Sequence, residues 1–151
     1  MPAPDGRPEA DAFTRTYWDA AAGGRLLIRR CRACGRAHHY PREFCPHCWS
    51  EDVTWERASG RASLYTWSVV HRTDLPPFAG RTPYVPAVVD LAEGPRMMTE
   101  IVAPRPAGRP SRAGAPEAGA APYDGSGLRS GAALTVCFRD GIPVFRAAPP
   151  A

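Results

Sequence analysis

Two closely spaced cysteine pairs constrain the fold of this chain more than any other feature. The first pair is Cys31-Arg-Ala-Cys34 and the second is Cys45-Pro-His-Cys48, with ten residues between them. Each C-x-x-C presents two thiolates from one tight turn, and two facing turns provide the tetrahedral sulfur shell that zinc prefers. There are two alternatives to a zinc site. A redox C-x-x-C motif would account for only one of the two pairs, and the other alternative is that the four cysteines form two disulfides. We therefore predict a structural zinc ion bound by Cys31, Cys34, Cys45 and Cys48.

The residues around the cysteine pairs refine this prediction. Gly35 follows the first pair, where the turn favours a residue that tolerates positive φ, whereas the bulkier Trp49 follows the second. His38, His39 and His47 lie in the same segment. Because four thiolates already complete a zinc shell, we predict that these histidines are not ligands.

Composition places the chain in a broad class. It has 151 residues, 44% of them hydrophobic, with 18 Pro and 14 Gly, which favours one small domain with a satellite and short strands over long helices. No apolar run approaches the roughly 20 residues of a membrane span, and the N-terminal residues do not resemble a signal peptide. Together with thiols spaced for zinc, this predicts a cytoplasmic protein without a membrane partner.

The basic residues are all arginine. The net charge is +4 and the chain contains no lysine, which excludes Schiff-base chemistry by this chain. Exclusive arginine usage is typical of a GC-rich genome, and it is also what a phosphate-binding surface needs. The charge is small and scattered, which favours the first explanation.

Apolar periodicity predicts a helix followed mostly by strands. A helix is expected over 9–22, with Phe13, Tyr17 and Ala21 on one face, and Gly23-Gly24 ends it. Strands are expected over 25–30, 62–72, 84–92, 96–102, 128–139 and 142–146. The expected parts are the tail and helix (1–24), a zinc ribbon (25–55) and a barrel (56–147) with a flexible insertion at 103–127.

The fold class follows from the strand count. Five short, mostly antiparallel strands after a zinc ribbon predict a mainly β protein with a small closed barrel. An OB-fold is the best-known five-stranded candidate. An SH3-like barrel or an open sandwich also fits five strands.

Several motifs then occur in the order found in one family. They are the two cysteine pairs, Tyr40-Pro41-Arg42 between them, Ser59-Gly60, the segment 64–72, Pro83-Tyr84-Val85, the segment 90–96 and Pro143-Val144-Phe145-Arg146. In this the chain resembles the DUF35 family of rubredoxin-like zinc ribbon plus OB-fold proteins, from about residue 9 to 147. It departs from the family at Trp49, where glycine is usual, and in the insertion at 103–127.

The resemblance implies an accessory role. Proteins of this family accompany thiolase-like and lipid-transfer-protein-type enzymes that act on acyl-CoA thioesters, including aldolases that shorten steroid side chains. It implies a non-catalytic subunit that stabilises such an enzyme in a hetero-oligomer and helps to form its acyl-CoA path. The partner surface is expected to include the ribbon and the helix, the latter through Phe13, Tyr17 and Trp18, with Leu26 and Ile28 extending the patch. The alternative is that the helix aromatics only pack onto the domain.

Residues suited to coenzyme A occur near the strand ends of the barrel. Coenzyme A carries an adenine and several phosphates, so its recognition calls for aromatic faces and arginine side chains together. The candidates are His71, Arg72, Phe78, Tyr84 and Arg96. The alternative is a solvated barrel rim with a packed Tyr84.

The alternatives to this accessory role are an independent enzyme and a nucleic-acid-binding module. The fifth cysteine, Cys137, lies in a strand alternation and is expected to fill the barrel, and no nucleophile with a nearby base is evident. An independent thioesterase-like or transferase enzyme is therefore disfavoured. A single-stranded nucleic-acid-binding module remains the alternative because zinc ribbons and OB-folds both serve there. The small net charge and the lack of a clear stacking platform argue against it.

Overall fold

The computed structural model describes residues 10–76, 78–105 and 121–148. Across these residues a short helix leads into a three-stranded sheet that carries the cysteines, and a closed five-stranded barrel follows. The elements are α1 (Arg15–Ala22), β1 (Leu27–Cys31), β2 (Ala37–His38), β3 (Val53–Arg57), β4 (Arg61–Trp67), a 3₁₀ turn (Ala79–Arg81), β5 (Val85–Leu91), β6 (Arg96–Ile101), β7 (Ala133–Arg139) and β8 (Ile142–Ala147). The predicted mainly β class is confirmed.

Helix α1 begins later than the periodicity predicts. The carboxylate of Asp11 accepts hydrogen bonds from the Thr14 backbone N–H and hydroxyl at 2.6 and 2.8 Å, and the Asp11 carbonyl accepts the Arg15 N–H at 3.1 Å, so a capped turn at 11–14 precedes the helix. Tyr17 and its neighbours Ala20 and Ala21 form the buried face. In the described ranges no helix has the length and apolarity that a bilayer crossing requires.

The sheet that carries the cysteines is antiparallel and centred on β1. Strand β1 pairs with β2 on one side and with β3 along its whole length on the other. The predicted strand at 25–30 is therefore present but lies nearer the first cysteine. Strand β2 was not predicted, because two residues give no periodicity to detect.

The barrel closes in the strand order β4-β5-β6-β8-β7. Numbered within the barrel, the strands follow the OB-fold order first, second, third, fifth and fourth. All pairs are antiparallel except β6 with β8, whose parallel register joins Ile101 to Phe145. Residues of β5 alternate between the buried interior and a half-buried outer face, as a barrel strand requires.

Two predicted strands are longer than those observed. The strand predicted at 62–72 ends at Trp67, after a bulge between Leu64 and Thr66, and beyond it Val70 makes an isolated bridge to Tyr84. The strand predicted at 128–139 begins at residue 133. Within the predicted insertion, 106–120 lie outside the described residues, whereas the Tyr123 N–H donates to the Pro83 carbonyl at 2.9 Å.

One hydrophobic core connects the helix, the ribbon and the barrel. Its buried members include Tyr17 of α1, Leu26 and Ile28 around β1, and Leu64 and Phe145 of the barrel. Leu26 is 2% exposed and Ile28 is 0% exposed. The prediction that these two side chains extend a surface patch is therefore wrong, because both are buried in the core shared by the helix, the ribbon and the barrel.

A smaller cluster packs apart from this core. It contains Val102, Cys137 and Val144, with Ile142 against it. Cys137 alternates with Val136 and Phe138, which join the main core. The expectation that Cys137 fills the barrel interior is therefore wrong, since this side chain lies on the opposite face of β7.

The turn before β4 requires a glycine. Gly60 has φ +81°, and a Cβ at this position would lie 2.5 Å from Val136 Cγ1. The Gly60 carbonyl also accepts the Val136 N–H at 2.8 Å, so the backbone of this turn lies close to β7. The absence of a side chain allows this approach.

Candidate functional site: a thiolate cluster and an arginine-lined groove

The four predicted ligands converge on one point. Their sulfur atoms all lie within 4.8 Å of one another, and the Cys31–Cys48 and Cys34–Cys45 distances are both 3.6 Å. A tetrahedral site with Zn–S bonds of about 2.3 Å requires sulfurs about 3.8 Å apart, so the four thiols fit a zinc ion. Zinc held this way completes its shell with sulfur and serves the structure.

The two cysteine turns have the same backbone geometry. Gly35 N–H donates to the Cys31 carbonyl and Trp49 N–H to the Cys45 carbonyl, both at 2.9 Å. Gly35 has φ +76° and Trp49 has φ +64°. Trp49 therefore adopts the left-handed conformation that its position demands, as the sequence indicated, and its ring is 78% exposed.

Backbone N–H groups prepare the sulfurs for a metal ion. Cys34 N–H donates to Cys31 Sγ and His47 N–H to Cys45 Sγ, both at 3.4 Å. The first of these contacts is the largest cause that lowers the pKa of the Cys31 thiol, to about 7. Because zinc binds thiolates, this favours the ligating form near neutral pH.

The neighbouring histidines occupy different environments. His39 Nε2 lies 3.0 Å from the Tyr17 hydroxyl, and burial lowers the pKa of His39 to about 4. His38 is buried, and burial likewise lowers its pKa, whereas His47 is exposed. His39 therefore connects the ribbon to helix α1.

The helix aromatics pack against the ribbon as well as the barrel. Phe13 lies 5.7 Å from Trp55 between ring centroids, and the Arg29 guanidinium stacks against both rings. Tyr17 is buried, and Trp18 meets it edge-on at 5.0 Å. Much of the aromatic surface expected to face a partner is thus used to join α1 to the rest of the chain.

Four of the five candidate coenzyme A residues lie towards one end of the barrel. His71 and Arg72 are exposed and follow the Val70–Tyr84 bridge, while Phe78 and Tyr84 approach to 5.8 Å between ring centroids. The structure therefore brings an exposed basic segment and a half-buried aromatic pair to this end.

Arg96 lies elsewhere. It pairs in register with Asp90 at the far end of the β5–β6 hairpin, six residues or about 20 Å along β5 from Tyr84. Its Nε donates to the Asp90 carboxylate at 2.6 Å, and its guanidinium lies 3.5 Å above the Tyr65 ring. The structure does not bring Arg96 together with the other four candidates.

An arginine that sequence reasoning missed takes this place. The Arg81 guanidinium lies 5.3 Å from the Phe78 ring centroid and 5.7 Å from that of Tyr84. It also donates to Glu100, which accepts a further hydrogen bond from Arg139 at 2.5 Å. These three charged residues come from three separate segments of the chain. The only available signal in the sequence was the carboxylate of Glu100, next to the end of a barrel strand.

This arginine–glutamate cluster lines a groove between the helix, the ribbon and the barrel, with a volume of about 280 Å³. We call it the junction groove. Its lining residues include Tyr17, Trp18, Tyr40, Phe78, Arg81, Met97, Met98, Glu100, Arg139, Ile142 and Pro143.

The carboxylate of Glu100 is ionised in this groove. Burial alone would raise the pKa of Glu100, but hydrogen bonds from Arg139 and Arg81 hold it below its usual value. Glu100 is therefore an anion at neutral pH.

Comparison with known proteins identifies both parts of the chain. Residues 18–54 match the model described as the ChsH2 rubredoxin-like zinc ribbon domain, and residues 55–116 match the ChsH2 C-terminal OB-fold domain. A solved structure described as the Ltp2-ChsH2(DUF35) aldolase matches with a TM-score of 0.70 and 30% identity, covering 95% of this chain and 100% of that chain.

Two curated relatives are similar over shorter spans. A probable enoyl-CoA hydratase alpha subunit from Thermomonospora curvata is 38% identical over 100 residues, 66% of this chain and 31% of the relative. The benzoylsuccinyl-CoA thiolase subunit BbsA from Geobacter metallireducens is 32% identical over 72 residues, 48% of this chain and 47% of the relative. The aligned regions thus span less than half of these relatives. The zinc ribbon, the OB-fold barrel and the similarity to a DUF35 chain along its whole length show that this protein belongs to the DUF35 family.

Proposed function

We propose that this chain is a non-catalytic subunit that binds and stabilises a thiolase-like acyl-CoA enzyme, such as a steroid side-chain aldolase, and helps to form its acyl-CoA path. One observation carries the proposal: the chain covers all of the DUF35 chain in the Ltp2-ChsH2(DUF35) aldolase. The similarity to hydratase and thiolase subunits that act on CoA thioesters supports the same class of partner.

The chemistry of the chain supports an accessory role. Four thiolates fill the tetrahedral shell of a zinc ion and leave no position for water or substrate. The remaining thiol, Cys137, is buried in the cluster with Val102 and Val144 and is remote from solvent. A partner would therefore supply the catalytic groups.

The exposed aromatics of the ribbon support a partner surface there. Tyr40, Phe44 and Trp49 are 48%, 44% and 78% exposed, and Trp18 of α1 lines the junction groove with Tyr40. Aromatic residues at protein surfaces are favoured interface anchors. The proposed partner surface is thus the ribbon together with Trp18.

The barrel end that carries His71, Arg72, Phe78 and Tyr84 is the proposed border of the acyl-CoA path. Two exposed basic side chains beside an aromatic pair suit the phosphates and the adenine of coenzyme A. Arg96 lies at the other end of the β5–β6 hairpin, so it can contact coenzyme A only at a second position, away from these four residues.

Affinity purification of the full chain from native cells tests the proposal, with mass spectrometry of the proteins bound to it. We expect a stable complex with a thiolase-like enzyme and release of that enzyme by Trp49→Ala or Trp18→Ala. Tyr65→Ala is the matched control, because Tyr65 is 48% exposed but lies on the barrel. A monodisperse monomer that binds a fluorescent single-stranded oligonucleotide more tightly than acyl-CoA would contradict the proposal and favour the nucleic-acid alternative.

A further inference from the structure

Three buried N–H donors line the junction groove without an acceptor. They are Trp18 Nε1, Arg81 Nε and Arg139 Nη1. Arg139 itself is only 7% exposed, and its other terminal nitrogen, Nη2, is the one that binds Glu100. The donors come from α1, from the 3₁₀ turn and from the end of β7, so they are brought together by the tertiary fold.

A buried donor without an acceptor is costly. On burial, each such group loses its hydrogen bonds to water and forms none within the protein, which costs about 1–3 kcal/mol, and more when the group is charged. Most buried polar groups in folded proteins are therefore paired. Three unpaired donors around one cavity indicate that an acceptor group belongs there.

The charge balance specifies the kind of acceptor. Arg81 and Arg139 share the single carboxylate of Glu100, so the cluster holds one positive charge in excess. A desolvated cation strongly favours an anion over a neutral acceptor. The missing group therefore carries one negative charge and at least two acceptor oxygens, as a carboxylate does.

The walls and the size of the groove limit what carries this group. Tyr17, Phe78, Met97, Ile142 and Pro143 provide apolar surface beside the donors. A volume of about 280 Å³ lies just below the range of about 300–1,000 Å³ that is typical of pockets for drug-sized ligands. A whole coenzyme A does not fit, whereas a short aliphatic stem does.

We propose that the junction groove binds one carboxylate carried on a short apolar stem, with Trp18, Arg81 and Arg139 as its donors. The carboxylate comes either from an acidic side chain of a partner protein or from a free short-chain carboxylic acid, and both present the same chemistry. The inference rests on the unpaired donors, the excess positive charge and the walls of the groove, and the partner-side-chain source extends the proposed partner surface, which also contains Trp18.

Titration of the zinc-loaded full chain with hexanoate tests the inference. Calorimetry measures affinity, and the indole N–H resonance of Trp18 in the ¹⁵N-labelled chain reports the site. Hexanoate should bind and shift this resonance, whereas hexylamine should not bind and hexanol should bind at least about tenfold more weakly, because charge-assisted hydrogen bonds are roughly twice as strong as neutral ones.

Variants separate the site from general adsorption. Trp18→Phe keeps an aromatic ring but removes a donor, and Arg81→Gln removes the charge, so both should weaken hexanoate binding. Glu100→Gln removes the competing anion and should tighten binding by about tenfold, since the excess charge rises from one to two. Arg129→Gln, at an exposed position outside the groove, is the matched control and should have no effect.

A second titration distinguishes the two sources of the carboxylate. It uses a peptide with a central Glu between leucines and the same peptide with Gln. If hexanoate binds, a free short-chain acid is a sufficient source of the carboxylate. If only the Glu peptide binds, the source is an acidic side chain of a partner protein. The inference is overturned if neither probe binds at millimolar concentration, or if Trp18→Phe and Glu100→Gln both leave the affinity unchanged.

Discussion

Gly35 and Trp49 occupy equivalent positions in the two cysteine turns. Each follows the second cysteine of its pair, each has a positive φ, and each donates its N–H to the carbonyl of the first cysteine at 2.9 Å. One position holds the residue that adopts this conformation without strain, and the other holds a residue that does not.

Replacing Trp49 by glycine should stabilise the isolated chain. The left-handed conformation costs a non-glycine residue roughly 1–2 kcal/mol, and the exposed indole returns little through burial. We expect Trp49→Gly to raise the free energy of unfolding by about 1 kcal/mol in urea denaturation. Gly35→Ala is the reciprocal control and should lower the free energy of unfolding. No atom lies within 4 Å of the added Cβ, so this loss comes from backbone strain alone. A loss of stability in Trp49→Gly would show that the indole contributes packing.

Substitution of Gly60 should be costly for two separable reasons. Gly60→Ala forces a methyl group to within 2.5 Å of Val136 Cγ1 and also imposes a strained φ. We expect a loss of roughly 2–3 kcal/mol in the free energy of unfolding. The double variant Gly60→Ala, Val136→Ala removes the clash and creates a cavity, so its cost should be less than the sum of the two single costs. Additive costs in this cycle would exclude a clash between these residues.

Acidification should destabilise the fold through His39 before it removes zinc. The pKa of His39 is about 4 in the folded chain and about 6.5 when unfolded, because burial disfavours the imidazolium. Between these values only the unfolded state binds the proton, so stability is complete above pH 6.5 and declines towards pH 4 by about 3 kcal/mol in total. Burial raises the pKa of Tyr17, so its hydroxyl stays protonated and forms a hydrogen bond with the neutral His39 ring.

His39→Gln keeps an acceptor for Tyr17 but cannot take up a proton. Urea unfolding between pH 7 and pH 5, with zinc content checked at each point, should show a shallower pH dependence in this variant. His38 retains part of the slope, because burial lowers its pKa too. Replacement of the exposed His71 by Gln is the control and should leave the slope intact. An unchanged slope in His39→Gln would rule out this histidine as the sensor.

Removal of zinc should unfold the ribbon. Structural zinc contributes about 10–16 kcal/mol of apparent binding free energy, which is comparable to the whole stability of a domain. Cys31→Ser and Cys48→Ser should lose the metal, measured by elemental analysis, and should expose Trp55 fluorescence to quenching. Cys137→Ser, outside the cluster, should retain one zinc per chain. Complete folding in the presence of a chelator, or a zinc ion with an exchangeable water, would contradict a structural site.

The two basic candidates for coenzyme A should differ in effect. Arg72 is exposed and lies two residues after Val70, which bridges to Tyr84, whereas Arg96 is engaged by Asp90 and Tyr65. In the assembled complex Arg72→Ala should raise KM for acyl-CoA by the equivalent of about 1–3 kcal/mol and change kcat less. Arg96→Ala should have the smaller effect. Unchanged KM for Arg72→Ala in an intact complex would leave the protein a scaffold without a role in substrate binding.

The zinc ligands and the fold class could be predicted because local spacing encodes them. Four thiols at C-x-x-C spacing leave little choice of geometry, and alternating strands separated by turns define a small barrel. Strand ends could not be predicted, since the bulge near Leu64 and the early cap at Asp11 depend on hydrogen bonds that leave no periodic trace.

The junction groove was beyond the reach of sequence reasoning. Arg81, Glu100 and Arg139 are far apart in the chain and meet only when the barrel closes. The position of Arg96 was within reach, because the strands predicted at 84–92 and 96–102 form a hairpin in which Tyr84 and Arg96 lie at opposite ends. Leu26 and Ile28 seemed suited to a surface because the sequence does not show that both side chains join the core shared with the helix and the barrel.

The continuous core has a thermodynamic corollary for the metal site. Since Ile28, on the strand that ends at Cys31, and Phe145 in the barrel belong to one cluster, metal binding and barrel formation are linked equilibria. Linkage is reciprocal: zinc makes the barrel harder to open, and the barrel makes zinc harder to lose by the same free energy. The dissociation constant for zinc is accordingly a property of the whole chain, and it can be tuned from a residue that never approaches the ion.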